Sequence, residues 1–483
     1  MLEIEGKIHD RYTLEFKVGY SRHSPDAVSS DFLMDTWIFI PNALYINSKT
    51  YPKSNFYRDF RALVRLITPV YTLDELADSR NLPQKRLQEC CTAYATTSTE
   101  ENERAYEHQV KMFGTITRSA LRAASARLCT LTEPNAFRGE LERIVSRIRI
   151  IMSAYRSISS KAKPNTTTPA EQPTFYKTGE EYLCRTIDSH LFRIMTYAQK
   201  QFPTLYPAIA SEAATYVDND AKRQTQQGFI LPVHNDKEHN KDFLHHASML
   251  KKFMESDLYI LAVKRSNTFI LQQLFFMLAA GLSMVFATII SFSFQQTYGN
   301  FTMPLFIALV VSYMFKDRFK DLMHSWFANK LGSKFYDYKI KLALRGTPVG
   351  WGKEGCDFVN EEKLPMPVRV RRGNFPDKPN RETVIVYRRR ITILSKRLKQ
   401  QSHYPLYGLN DIIRVNLRDF LRRMDSPHAP VYINKGGGNF LTETAERAYY
   451  LHFIMRYRYQ GIVGYKRFRV CLTRQGVKNL TEL

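Results

Sequence analysis

Cysteine is scarce in this 483-residue chain: Cys90, Cys91, Cys129, Cys184, Cys356 and Cys471, with no C-x-x-C pair among them. This excludes a disulfide-stapled scaffold, a zinc ribbon and a dithiol redox centre, and it places most of the chain in a reducing compartment. The first residues, Met1 to Lys7, carry acids and no apolar core, so no signal peptide is expected there. The dinucleotide and phosphate-loop glycine patterns, G-x-S-x-G, H-E-x-x-H and the kinase and deaminase signatures are all missing. No catalytic residue, metal ligand or cofactor is therefore assigned. Gly436-Gly437-Gly438 reads as a turn, and His234, His239, His245 and His246 read as a polar helix entry, since adjacent helical histidines point about 100° apart.

The largest absence is of charge. From Ser266 to Phe315 there is no Asp, Glu, Lys or Arg. Leu274 to Phe294 is polar only at Ser and Thr and, as a helix, is long enough for about 30 Å of hydrocarbon. Phe301 to Phe315 forms a second, shorter apolar run, which can cross only by borrowing loop residues and snorkelling Lys316 and Arg318. A re-entrant second segment is the alternative. Basic residues flank the pair on both sides, so both flanks are expected in the cytoplasm. Ala279, Ser283, Ala287 and Ser291 recur every four residues, as do Ala308 and Ser312 after Pro304, giving each helix a small-residue ridge for packing within the hairpin or in an oligomer.

What is present elsewhere is positive charge. The chain has 70 Lys and Arg against 46 Asp and Glu, and the excess lies mostly after residue 315. The expected fold is an α+β membrane protein with a mainly helical N-terminal cytoplasmic region, a two-span transmembrane hairpin and a basic α+β C-terminal domain. The expected parts are a small β unit at 1–50 and a mainly helical region at 51–265 with a linker at 159–178. The hairpin follows at 266–315 (spans about 269–294 and 298–315), then an amphipathic juxtamembrane helix at 316–341 and the basic domain at 342–483. An apolar stripe from Phe243 to Leu261 reads as a helix running into the membrane, Asp411 to Met424 reads as helix, Thr383 to Leu394 as strand, and Tyr449 to Thr473 as a β-hairpin.

The hairpin leaving as Tyr313-Met314-Phe315-Lys316-Asp317-Arg318-Phe319-Lys320, followed by a basic β domain ending Val470-Cys471-Leu472-Thr473-Arg474-Gln475-Gly476-Val477-Lys478, resembles uncharacterised bacterial membrane proteins. The resemblance covers the C-terminal half, implies a bacterial inner-membrane setting and implies no activity.

Arg388, Arg389, Arg390, Arg414, Arg418, Arg456, Arg458, Arg467 and Arg469 form the candidate binding surface for an anionic partner, either anionic lipid or nucleic acid, the alternative being a solvated face made cationic by the positive-inside bias near a membrane. Tyr457, Tyr459, Tyr465 and Phe468 interleave with them and would supply stacking to bases. The sequence thus reads as a non-enzymatic protein anchored in the bilayer, multi-pass in the inner membrane with both termini cytoplasmic, whose cytoplasmic domains bind a partner or anionic surface. A permeabilising homo-oligomer assembled through the hairpin is one alternative. A membrane-bound enzyme without a local motif is the other.

Overall fold

The structure, a computed structural model, describes residues 2–21, 29–160, 174–266, 268–299, 302–331, 336–373, 382–401, 403–405, 408–459 and 461–483. The chain opens with β1 (Leu2–Asp10), β2 (Thr13–Ser21), β3 (Ser29–Pro41), α1 (Lys53–Asp59) and β4 (Phe60–Leu66). Seven helices follow: α2 (Leu73–Ala77), α3 (Leu82–Thr96), α4 (Glu100–Leu128), α5 (Pro134–Ser160), α6 (Thr174–Gln201), α7 (Tyr206–Gln226) and α8 (Lys237–Glu255). Then come β5 (Tyr259–Ser266), α9 (Thr268–Tyr298), α10 (Met303–Leu331), β6 (Tyr338–Leu344), β7 (Thr347–Val359), α11 (Met366–Arg372), β8 (Glu382–Leu394), α12 (Ser395–Gln400), β9 (Gly408–Asn416) and α13 (Arg418–Leu421). β10 (His428–Gly436), β11 (Asn439–Glu446), β12 (Tyr449–Tyr459), β13 (Ile462–Thr473) and β14 (Gly476–Glu482) complete it.

The chain divides into two units, 66–259 with 402–407, and the remainder. The second of these is built on a 12-stranded sheet in the order β1-β2-β9-β4-β5-β6-β7-β8-β3-β12-β13-β14. Its two edges come together: the Val477 N–H donates to the Arg11 carbonyl at 2.9 Å, and Gly6 lies against Leu480 and Phe468. Right-handed strand twist accumulated over this many strands curls the sheet toward closure and protects its edges. Phe16, Phe453 and Phe468 fill the interior, with ring centroids 5.2 and 5.3 Å from Phe16. Arg389 on β8 is buried there beside Glu354 on β7 (2.9 Å) and reaches Asp411 on β9, a strand far away in sheet order, at 2.5 and 3.1 Å. Lys264 on β5 also pairs with Glu354, and the Tyr387 hydroxyl donates to it at 3.0 Å. Burial pushes the Asp411 carboxyl upward, against the opposing pull of Arg389. A buried network of this kind is stable only because every charge has a partner.

The other unit is helical. Thr72 and Glu75 close a reciprocal capping box at the start of α2, and Thr99 caps α4. Tyr155 and Tyr176 stack at 4.6 Å, and each hydroxyl donates to the other's backbone carbonyl at 3.0 Å. Asp236 caps α8 through the His239 N–H; His239 contacts the Leu231 carbonyl, and His246 pairs with Glu181 at 3.0 Å.

Several expectations are corrected. The two-span transmembrane hairpin is not present: among the described residues one helix, Phe276–Tyr298, is long and apolar enough to cross a membrane, at mean hydropathy 1.9. The uncharged part of α10, Met303 to Phe315, reaches about 20 Å, short of the hydrocarbon thickness, because Lys316, Asp317 and Arg318 follow within the same helix. The α+β membrane fold with separate N-terminal and C-terminal domains gives way to one curled sheet that draws strands from both ends of the chain. Residues 1–50 are not a separate β unit, since β2 pairs with β9 and β3 with β8 and β12; 342–483 is likewise incomplete alone. Residues 51–265 contribute β4 near their start and β5 at their end to that sheet. Of residues 316–341, 316–331 continue α10 and 338–341 lie in β6. The apolar stripe before α9 stops as helix at Glu255 and continues as β5. Asp411 begins no helix: it sits within β9 on the same inward face as Leu409, Ile413 and Val415, which are all buried. The linker at 159–178 lies mostly outside the described residues.

Candidate functional site

β5 and β6 are antiparallel neighbours, with Ser266 opposite Tyr338. The chain between them is α9 and α10, so the helices leave the sheet and return to it at one place as an antiparallel pair. Their contact is made by the small residues: Ala279, Ser283, Ala308 and Ser312 are buried, and Ala287 and Ser291 half-buried. The Ser312 hydroxyl donates to the Ala287 carbonyl at 3.4 Å, and the Phe286 and Phe319 rings stack at 5.9 Å. Small side chains permit this close approach of backbones.

These two contacts fix the register. Lys316, between Ser312 and Phe319, lies level with Phe286 and Ala287, and its ammonium sits over the Tyr313 ring at 4.1 Å. From that level to the turn, both helices are free of charge; on the other side, α9 runs beside Asp317, Arg318, Lys320 and Asp321. Away from their shared seam, α9 and the 303–315 part of α10 are apolar on every side. Met277, Leu282, Ile289 and Phe292 on α9, and Phe306, Ile307 and Met314 on α10, are each between 48% and 69% exposed. A helix exposing apolar groups all round is made for a non-aqueous environment.

The expected anion-binding arginines do not form one surface. Arg389 is inside the sheet. Arg388 pairs with Asp357 (2.6 Å), Arg390 with Asp31 (2.8 Å), Arg414 with Glu15 (2.9 Å) and Arg456 with Asp35. Burial would raise the Glu15 carboxyl, but Lys7 and Arg414 hold it below the usual carboxylate range. Arg418 lies over the Tyr12 ring at 5.9 Å, and Arg458 has no carboxylate partner among the described residues. Arg467 donates to the Arg371 carbonyl at 2.8 Å, and Arg469 lies over Tyr450. The interleaved aromatics are packed: Phe468 and Tyr459 are buried, the latter stacked on Phe32, and Tyr457 covers Gly464. Sequence reasoning missed His452 and Arg372, which stand with Arg467 and Arg469; a lone histidine in an apolar strand two residues from Ile454 was the available signal.

Comparison with known proteins places no relative beside this chain: no family model, no curated protein and no solved structure matches it.

Proposed function

We propose that this is a non-enzymatic, membrane-attached protein, held by the tip of the α9–α10 pair, which enters the bilayer from the cytoplasmic face as a wedge and keeps the sheet unit at an anionic lipid surface. The observation that supports this best is the apolar surface surrounding the pair. Among the described residues the charge-free tip exposes four large apolar side chains on α9, from Ile289 to Tyr298, and nine on α10, from Met303 to Phe315, and covering them is worth on the order of 10 kcal/mol. That rivals the stability of a typical domain, so the tip does not stay in water. Lipid fits better than a partner protein because the exposure encircles the pair instead of forming one face. Lys316, Arg318 and Lys320 then mark the headgroup level, and the charge-free tip beyond them, about 18 Å of α9 from Ala287 to Tyr298, sets the depth. The small-residue ridges are occupied within the pair, which argues against their use in a permeabilising oligomer. Most of the expected arginines are already neutralised, and the aromatics are packed, which argues against single-stranded nucleic acid. The resemblance noted above makes a bacterial inner membrane the setting we propose.

The test is fractionation of cells expressing the full chain. The protein is expected to remain with membranes through alkaline carbonate washing, and Ile289→Arg with Phe292→Arg, both exposed on the tip, should move most of it to the soluble or aggregated fraction. Wild-type protein in the supernatant would overturn the reading.

A further inference from the structure

At one end of the curled sheet, a cleft of about 620 Å³ is bounded by Asn42 after β3, Arg372 at the end of α11, Glu382 on β8, Tyr450 and His452 on β12, and Arg469 on β13. Strand register explains the grouping. His452 stands opposite Arg469 on β13, and Ile454 opposite Arg467, so these side chains share one face. Phe39 pairs with His452 on the other flank, and Trp37, Phe39, Val384, Val386 and Ile454 form the apolar cluster that α11 covers through Val368. The polar groups lie where that cluster ends.

Charge is unbalanced there. Arg372 forms a two-pronged pair with Glu382, at 3.0 and 2.6 Å. Arg467 is anchored by the Arg371 carbonyl while its Nε is buried without a hydrogen-bond partner, and Arg469 has no carboxylate partner among the described residues. Three guanidiniums thus face one carboxylate. His452 is 7% exposed, and its Nδ1 also has no hydrogen-bond partner. Buried polar atoms are nearly always satisfied, so an orphan on the cleft-lining His452 with a second on Arg467 close beside it points to a missing partner. Burial, with Arg372, Arg467 and Arg469 nearby, drives the His452 imidazole down to about 3, leaving it neutral and able to accept or donate one hydrogen bond.

We infer that this cleft binds a phosphate-type oxyanion, free or as the phosphate monoester of a larger molecule, against Arg469 and His452, with the charge of Arg467 beside them. Two surplus positive charges match a dianion, and guanidinium forks suit tetrahedral oxyanions. The Tyr450 ring beneath Arg469 gives a wall for whatever carries the phosphate. This site stands independently of membrane attachment, since its residues are on strands and α11 and none is on α9 or α10.

The test is titration calorimetry of the full-length protein in neutral detergent micelles with inorganic phosphate at low ionic strength. Saturable binding is expected, weakened at least about tenfold by Arg469→Gln, an exposed position that leaves the fold intact, and unchanged by Arg458→Gln on the same hairpin. His452→Gln, checked for folding by circular dichroism, should also weaken it. Competition against bound phosphate separates the sources: displacement by glucose 6-phosphate assigns a soluble monoester, displacement by vesicles containing phosphatidic acid assigns a lipid headgroup, and displacement by neither assigns phosphate itself. Absence of binding, or equal loss in Arg458→Gln and Arg469→Gln, would overturn the inference.

Discussion

Single residues decide where charge can be used. Arg389 looked like part of a basic surface because Arg388-Arg389-Arg390 reads as one run. In a strand the middle residue faces opposite to its neighbours, and here it points inward to Glu354 and Asp411. Replacing it by Leu leaves two carboxylates buried without their cation, so Arg389→Leu should cost on the order of 3 to 5 kcal/mol and markedly lower the melting temperature. Arg458→Leu, at an exposed position, should leave it unchanged. In the helical unit, Asp188 is raised to about 6 by burial, opposed by its hydrogen bond from Gln224 (2.8 Å) and reinforced by the Asp220 charge. A folded-state value above the unfolded one favours the native state fully below about pH 4, and that advantage is lost as pH rises through 6. Asp188→Asn should therefore stabilise the protein by up to about 2 kcal/mol at pH 7.5 and by almost nothing at pH 4, as read by thermal unfolding. The buried partners of Arg389 could not be read locally, because they lie 35 and 22 residues away.

At the scale of elements, legibility followed how local the deciding interaction is. The capping box at Thr72 and strand β8 depend on neighbours in sequence and were readable. β9 was not: its inward Asp411 breaks the apolar alternation, and Ile413, Leu417, Phe420 and Leu421 then match a helical period equally well. The stripe ending at Leu261 failed because a helix and a strand adjoin at residues 256–258 without any Gly or Pro to mark the change. The small-residue ridges were readable as packing surfaces, and the structure pairs them with each other. Widening the seam should be felt directly. Ala279→Leu with Ser283→Leu should push α10 away, lowering the yield of a short bifunctional crosslink between Ala287→Cys and Ser312→Cys several-fold. An unchanged yield would mean that the pair is held by something other than its seam.

The whole molecule was the least legible level, because a curled sheet that joins residues 1–65 to 260–483 is a pattern of long-range hydrogen bonds with no sequence signature. Its consequence for function is mechanical. The apolar pair is an insertion between two adjacent strands, so both its ends lead into one sheet, and the charged residues of α10 sit at a set distance along the helix from the tip. Depth is therefore set along with attachment. An environment-sensitive fluorophore on Ile289→Cys, in full-length protein bound to anionic vesicles, should be quenched by lipids brominated along their acyl chains. The same fluorophore on Tyr432→Cys, on the exposed β10–β11 hairpin, should not. Strong quenching at 289 with none at 432 is the predicted result; equal weak quenching at both positions, with the protein nonetheless folded, would contradict membrane insertion of the α9–α10 tip.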